Sequence, residues 1–217
     1  MSESSEFNAP PVNPVHSEEY QGRGVFVDED SPRRVIDFAR MVNEAAIKTS
    51  VRANDTHVEL NDAVLWLRHH CRETHKSGHK IIFIGNGGSS AIASHMATDF
   101  SKNGGIRAIA FNDAPLLTCL ANDFGSEHIF SKQLEYYAQK GDMVIIVSSS
   151  GRSPNILMAA EQAFRMGLTL ITFSGMNADN VLRRKGIVSF WVPATDYGIV
   201  ELAHLVLLHS VVSITAP

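Results

Sequence analysis

The sequence predicts an α/β fold: a three-layer α/β/α sandwich around a five-stranded parallel sheet, preceded by two amphipathic helices. Two observations carry that expectation. Five short runs, 81–84, 107–111, 143–147, 168–173 and 188–192, are dense in β-branched and apolar residues with little polar alternation, the pattern of strands covered on both faces. Segments of helical length separate most of them, at 89–102, 127–139 and 154–166, and such alternation calls for right-handed crossovers between parallel strands.

Taken in chain order, residues 1–30 are rich in Ser, Glu, Pro and Asn and lack apolar periodicity, so they read as a flexible tail. A single domain then runs from 31 to 217. Its first helix opens at Ser31 and Pro32, suited to cap and first turn, and carries Val35, Phe38, Ala39, Met41, Val42 and Ala45 at helical spacing. A second amphipathic helix spans 58–75, with Leu60, Val64, Leu65, Trp66 and Leu67. With little sheet left to cover, both are expected to turn their apolar faces toward other subunits. A closing helix at 198–212 completes the chain.

Bulk properties exclude several classes. The 217 residues suffice for a core without disulfides, and a formal charge of −4 argues against a broad grip on nucleic acid or anionic lipid. Cys71 and Cys119 are not in a CxxC pair, which leaves almost no material for a disulfide framework or a thiolate metal site. The first residues lack a cationic and apolar leader, and 199–214 is too short and too often interrupted to span a bilayer. A cytoplasmic protein without membrane contact is the expectation.

Chemistry is expected at two strand-to-helix junctions, because ligands in open α/β sheets bind beyond the carboxyl ends of the strands. Gly85-Asn86-Gly87-Gly88-Ser89-Ser90 permits a positive-φ turn and presents a helix start to an anion; a tight structural turn is the alternative. It matches neither a dinucleotide nor a nucleoside-triphosphate fingerprint. Ser148-Ser149-Ser150-Gly151-Arg152-Ser153-Pro154 combines hydroxyls, backbone N–H groups and a helix opened by Pro154, a cradle suited to phosphate. A third constellation is ionisable. His95 and Asp99 share one helix face four residues apart, and Glu201, His204 and His209 share a stripe of the closing helix. Such groups suit either one zinc ion or a proton-transferring pair, and burying them unpartnered would be costly.

KIIFIGNGGSS from Lys80, ANDFG from Ala121 and VSSSGRSPN from Val147 together resemble the sugar isomerase (SIS) domain, and more narrowly the phosphoheptose isomerases. The resemblance covers the chain from about Val35 onward. It implies a homotetramer, a flavodoxin-like or Rossmann-like sheet and interconversion of sedoheptulose 7-phosphate with D-glycero-D-manno-heptose 7-phosphate through an enediol. It further implies that Asn86, Gly87, Gly88 and Ser89 hold the sugar, that Asn122 and Asp123 contact its hydroxyls, and that Ser148, Ser149, Ser150 and Ser153 bind the phosphate. His95, Asp99, Glu201 and His209 fall on the zinc ligands, with Glu201 also at the substrate, Asp99 as catalytic base and His209 as partner acid. His204 is expected to be structural. Three departures stand out: Asp99 where Glu is usual, Glu201 where Gln is usual, and Arg152 where Asn is common. With Asp99 and Glu201, DYGIVELAH from Asp196 resembles a related branch of the family that accompanies capsule or other glycan gene sets and whose substrates are less uniform. Two alternatives remain open: a non-catalytic SIS protein that binds a replication initiator or another protein, and an enzyme acting on another ketose phosphate.

Overall fold

The computed structural model describes residues 35–213; the expected tail and the expected cap at Ser31 and Pro32 lie outside the described residues. Fourteen elements follow in order: α1 (Val35–Ile47), β1 (Ser50–Ala53), β2 (Thr56–Val58), α2 (Leu60–Lys76), β3 (Ile81–Gly85), α3 (Gly88–Lys102), β4 (Ala108–Ala110), α4 (Ala114–Phe124), α5 (Ile129–Tyr137), β5 (Met143–Ser148), α6 (Pro154–Arg165), β6 (Thr169–Ser174), β7 (Val188–Trp191) and α7 (Tyr197–Ser213).

All five expected strands form, and they are parallel, in the order β7-β6-β5-β3-β4. The sheet has seven strands rather than five. A hairpin, β1 and β2, adds antiparallel to β7 at one edge. Its turn is Asn54-Asp55, both at positive φ (47° and 65°), which is the backbone of a tight two-residue hairpin. Asn and Asp tolerate that conformation better than other non-glycine residues.

Side chains of the central strands alternate between two cores. Ile81 and Phe83 of β3 and Ile145 and Val147 of β5 pack in a cluster with residues of α1, α2, α3 and α7. Ile82, Ile84, Val144 and Ile146 point the other way, into a cluster with residues of α5 and α6. This double burial is why the strands read as uninterrupted apolar runs. Val42, Ala45 and Ala46 of α1 and Ala63, Val64, Leu67 and Cys71 of α2 are buried within this same chain's core, while Val35, Met41 and Leu65 stay exposed. α4 was not expected; Asp113 caps it by accepting from the Leu116 N–H at 2.9 Å, with Pro115 in the first turn.

The strand order sets the site. From β3 the chain crosses to β4 on one side and later returns through β5 on the other, so the topological switch lies between β3 and β5. Gly85 at the end of β3 pairs with Val147 near the end of β5, which brings the glycine-rich and serine-rich junctions side by side.

Candidate active site

The two junctions form one pocket of about 90 Å³, lined by Asn86, Ser89, Ser148, Ser149, Ser150, Ser153, Tyr197 and Glu201. Gly87 opens α3 at φ 53°, a conformation that costs glycine little, and leaves the helix start without a side-chain cap. On the other side, Gly151 turns at φ 60°, and its N–H lies 3.3 Å from the Ser148 hydroxyl. Ser153 precedes Pro154 at the start of α6, and its side chain makes no capping bond. The Ser149 hydroxyl is buried and has no hydrogen-bond partner among the described residues. Burying a hydroxyl without a partner is costly, so it marks a place where an acceptor or donor from outside fits.

The serine loop is braced from behind. Asn180 is buried; its Nδ2 donates to Ser174 Oγ at 3.1 Å and to the Asn177 carbonyl at 2.9 Å, and its Oδ1 accepts from Arg183 N–H at 3.0 Å. A Cβ at Gly151 would collide with Asn180 Oδ1, so only glycine allows this approach. His204 Nε2 donates to the Ser174 carbonyl at 3.0 Å, and burial lowers its pKa to about 4, an effect that this bond partly offsets. The structural reading of His204 agrees with that placement.

Two turns further along the same two helices lies the ionisable cluster. His95 Nε2 stands 3.2 Å from His209 Nε2; Asp99 Oδ2 is 3.6 Å from His95 Nε2 and 3.5 Å from His209 Nδ1. One donor atom from each of the three lies within 4.8 Å of the others. Two imidazoles and a carboxylate are a donor set that zinc takes, and tetrahedral ligands at about 2.1 Å from the ion are about 3.4 Å apart, close to the 3.2 Å between the two Nε2 atoms. The residues present therefore fit a divalent metal. Glu201 is not drawn into this cluster. It lines the serine pocket, so close to the glycine loop that a Cβ at Gly88 would meet its carboxylate, and burial holds its carboxyl above the usual range.

Asn122 and Asp123 sit exposed near the end of α4, hydrogen-bonded to each other at 2.9 Å, and they are not among the residues lining the pocket. Sequence reasoning missed Asn155, whose carboxamide pairs with that of Asn86, and Tyr197 at the pocket wall. Asn155 closes the SSSGRSPN run, whose serines alone were assigned to the phosphate.

The model of the SIS domain family matches residues 46–175, more than half of the chain. The chain belongs to the SIS domain family. Within it, a phosphoheptose isomerase of Fusobacterium nucleatum is 37% identical over 142 residues, covering 62% of this chain and 72% of the relative. One of Trichlorobacter lovleyi is 36% identical over 159 residues, covering 70% and 80%. A phosphoheptose isomerase structure from Neisseria gonorrhoeae superposes with a TM-score of 0.68 at 26% identity, over 81% of this chain and 92% of that one. This SIS protein is thus an isomerase of the phosphoheptose isomerase type. Among the described residues, no helix is long and apolar enough to cross a membrane.

Proposed function

We propose that the protein interconverts sedoheptulose 7-phosphate and D-glycero-D-manno-heptose 7-phosphate, for lipopolysaccharide, capsule or other glycan synthesis. The observation that carries this reading is the pocket whose unpartnered Ser149 hydroxyl opens at the head of the two helices that also carry His95, Asp99 and His209. The rise of an α-helix sets the two groups about 10–12 Å apart along α3 and α7, a span suited to a long-chain sugar phosphate.

In this reading Ser148, Ser149, Ser150 and Ser153, with the start of α6, hold the phosphate. Asn86, Gly87, Gly88 and Ser89 hold the sugar chain, and Glu201 accepts from its hydroxyls. His95, Asp99 and His209 would hold a zinc ion, which when bound would supply Lewis-acid charge that favours the enediolate. Asp99 turns Oδ2 to both imidazoles and leaves Oδ1 to remove the proton beside the carbonyl. The same carboxyl returns a proton to the neighbouring carbon, while His209 passes one proton between the two oxygens. Carbonyl and hydroxyl exchange places with no net gain or loss of atoms.

Turnover of sedoheptulose 7-phosphate by protein stripped with chelator and then reloaded with zinc, followed by proton NMR, tests the reaction. Aldose formation that disappears on stripping and returns with zinc is expected. Absence of conversion in both states would overturn the assignment, and with no zinc bound it would favour a protein-binding role.

The same reading takes the protein as a homotetramer in the cytoplasm. Support comes from α7, which is apolar on nearly every face: Leu202 and Val206 stay exposed on the turns between Glu201 and His209, so a second copy covering them would also close the site. Light scattering on the purified protein is expected to give a tetramer's mass; a monomer would remove this part.

A further inference from the structure

We propose that Asn155 is a positioning residue that decides which end of the Asn86 carboxamide faces the sugar, an inference that rests on the reaction assigned above. A carboxamide presents a donor on one side and an acceptor on the other in nearly the same shape, so packing alone does not choose its orientation. Asn86 and Asn155 close on each other: Asn86 Nδ2 donates to Asn155 Oδ1 at 2.9 Å, and Asn155 Nδ2 donates to Asn86 Oδ1 at 3.0 Å. Reversing both amides at once would give an equally complete pair.

The tie is broken from outside the pair. The backbone N–H of Ile156 lies 2.9 Å from Asn155 Oδ1, and an N–H only donates, so that position must be oxygen. Ile156 is the third residue of α6, within the first turn, where backbone N–H groups have no acceptor inside their own helix. That free donor orients Asn155, and Asn155 orients Asn86, which lies 69 residues earlier in the chain. The pair uses one N–H and one lone-pair position of Asn86 and leaves the second of each in a defined place. Asn86 lines the pocket, whereas Asn155 is not among the lining residues, so Asn155 acts on the sugar only through its partner. With Asn155 removed, Asn86 is free to flip, and half its orientations set oxygen against oxygen on a sugar hydroxyl's acceptor side.

A double-mutant cycle tests this on the zinc-loaded full chain, with Asn155→Ala, Asn86→Ala and the double variant assayed on sedoheptulose 7-phosphate. Asn155→Ala is expected to lower kcat/KM about tenfold, to leave competitive inhibition by inorganic phosphate within about twofold, and to add nothing in the Asn86→Ala background. An equal loss in both backgrounds would overturn the inference, because it would show that Asn155 works independently of Asn86. Asn155→Ser separates positioning from local helix stability: its hydroxyl keeps a polar group in the first turn of α6 but is too short to reach Asn86. It is expected to stay as impaired as the alanine variant while regaining thermal stability; recovery of activity together with stability would reduce Asn155 to a local stabiliser of α6. Reading the same cycle by calorimetric binding of sedoheptulose 7-phosphate keeps the two claims apart. An inactive parent protein would count against the assigned reaction, while the coupling between the two amides stays measurable.

Discussion

Replacing Asp99 with Asn is expected to lower turnover of sedoheptulose 7-phosphate by about a thousandfold, the middle of the range that a lost general base costs. Asn keeps the shape of the side chain and its place on α3, four residues from His95 and opposite His209, but its amide takes up no proton at working pH. The substitution also removes one negative charge from a cluster whose other members are two imidazoles, so zinc stoichiometry must be measured alongside. A variant that keeps its metal and loses turnover identifies proton transfer as the lost step. One that loses both assigns Asp99 to holding the ion. Full turnover would remove Asp99 from the chemistry altogether. Asp99→Glu adds one methylene and retains a base, so it is expected to keep far more activity than the Asn variant.

How much of this was legible beforehand depends on where each element buries its side chains. β3, β5 and β6 are covered on both faces, and their near-continuous apolar sequences announced them. The β1–β2 hairpin was invisible for the opposite reason: Val51 is its one buried residue, so no apolar pattern marks it, and its only signal is the Asn54-Asp55 pair that turns the chain. α4 buries only Leu120 and so presents no apolar stripe of helical period. The ionisable cluster was readable because His95 and Asp99 follow helical spacing, and a single copy of His209 on the closing helix supplied the third donor. The Asn86–Asn155 pair was not, because its partners meet only once β3 and β5 lie side by side, and no local period connects them.

Acid is expected to loosen this fold through His204, and a variant that cannot titrate there should be spared. His204 is completely buried, donates from Nε2 to the Ser174 carbonyl, and leaves Nδ1 without a partner among the described residues. Protonating Nδ1 would place a charge where nothing compensates it, which is why burial lowers the pKa from 6.5 to about 4. The folded state therefore prefers the neutral ring. Its contribution is fully present above the unfolded pKa near 6.5 and is lost as pH falls from there toward 4, and a shift of this size corresponds to about 3 kcal/mol. His204→Gln keeps a donor for the Ser174 carbonyl and removes the titration. Urea unfolding at a series of pH values between 4 and 6.5 should then show a slope of stability against pH lower by up to one proton's worth in the variant, about 1.4 kcal/mol per pH unit. Equal slopes in both proteins would mean that His204 is not the group responsible. The consequence reaches the site, because Ser174 also accepts from Asn180, and Asn180 packs against Gly151 beneath the serine loop. Charging His204 disturbs one of the buried contacts behind that loop, so affinity for inorganic phosphate should weaken with acid faster in the parent protein than in His204→Gln.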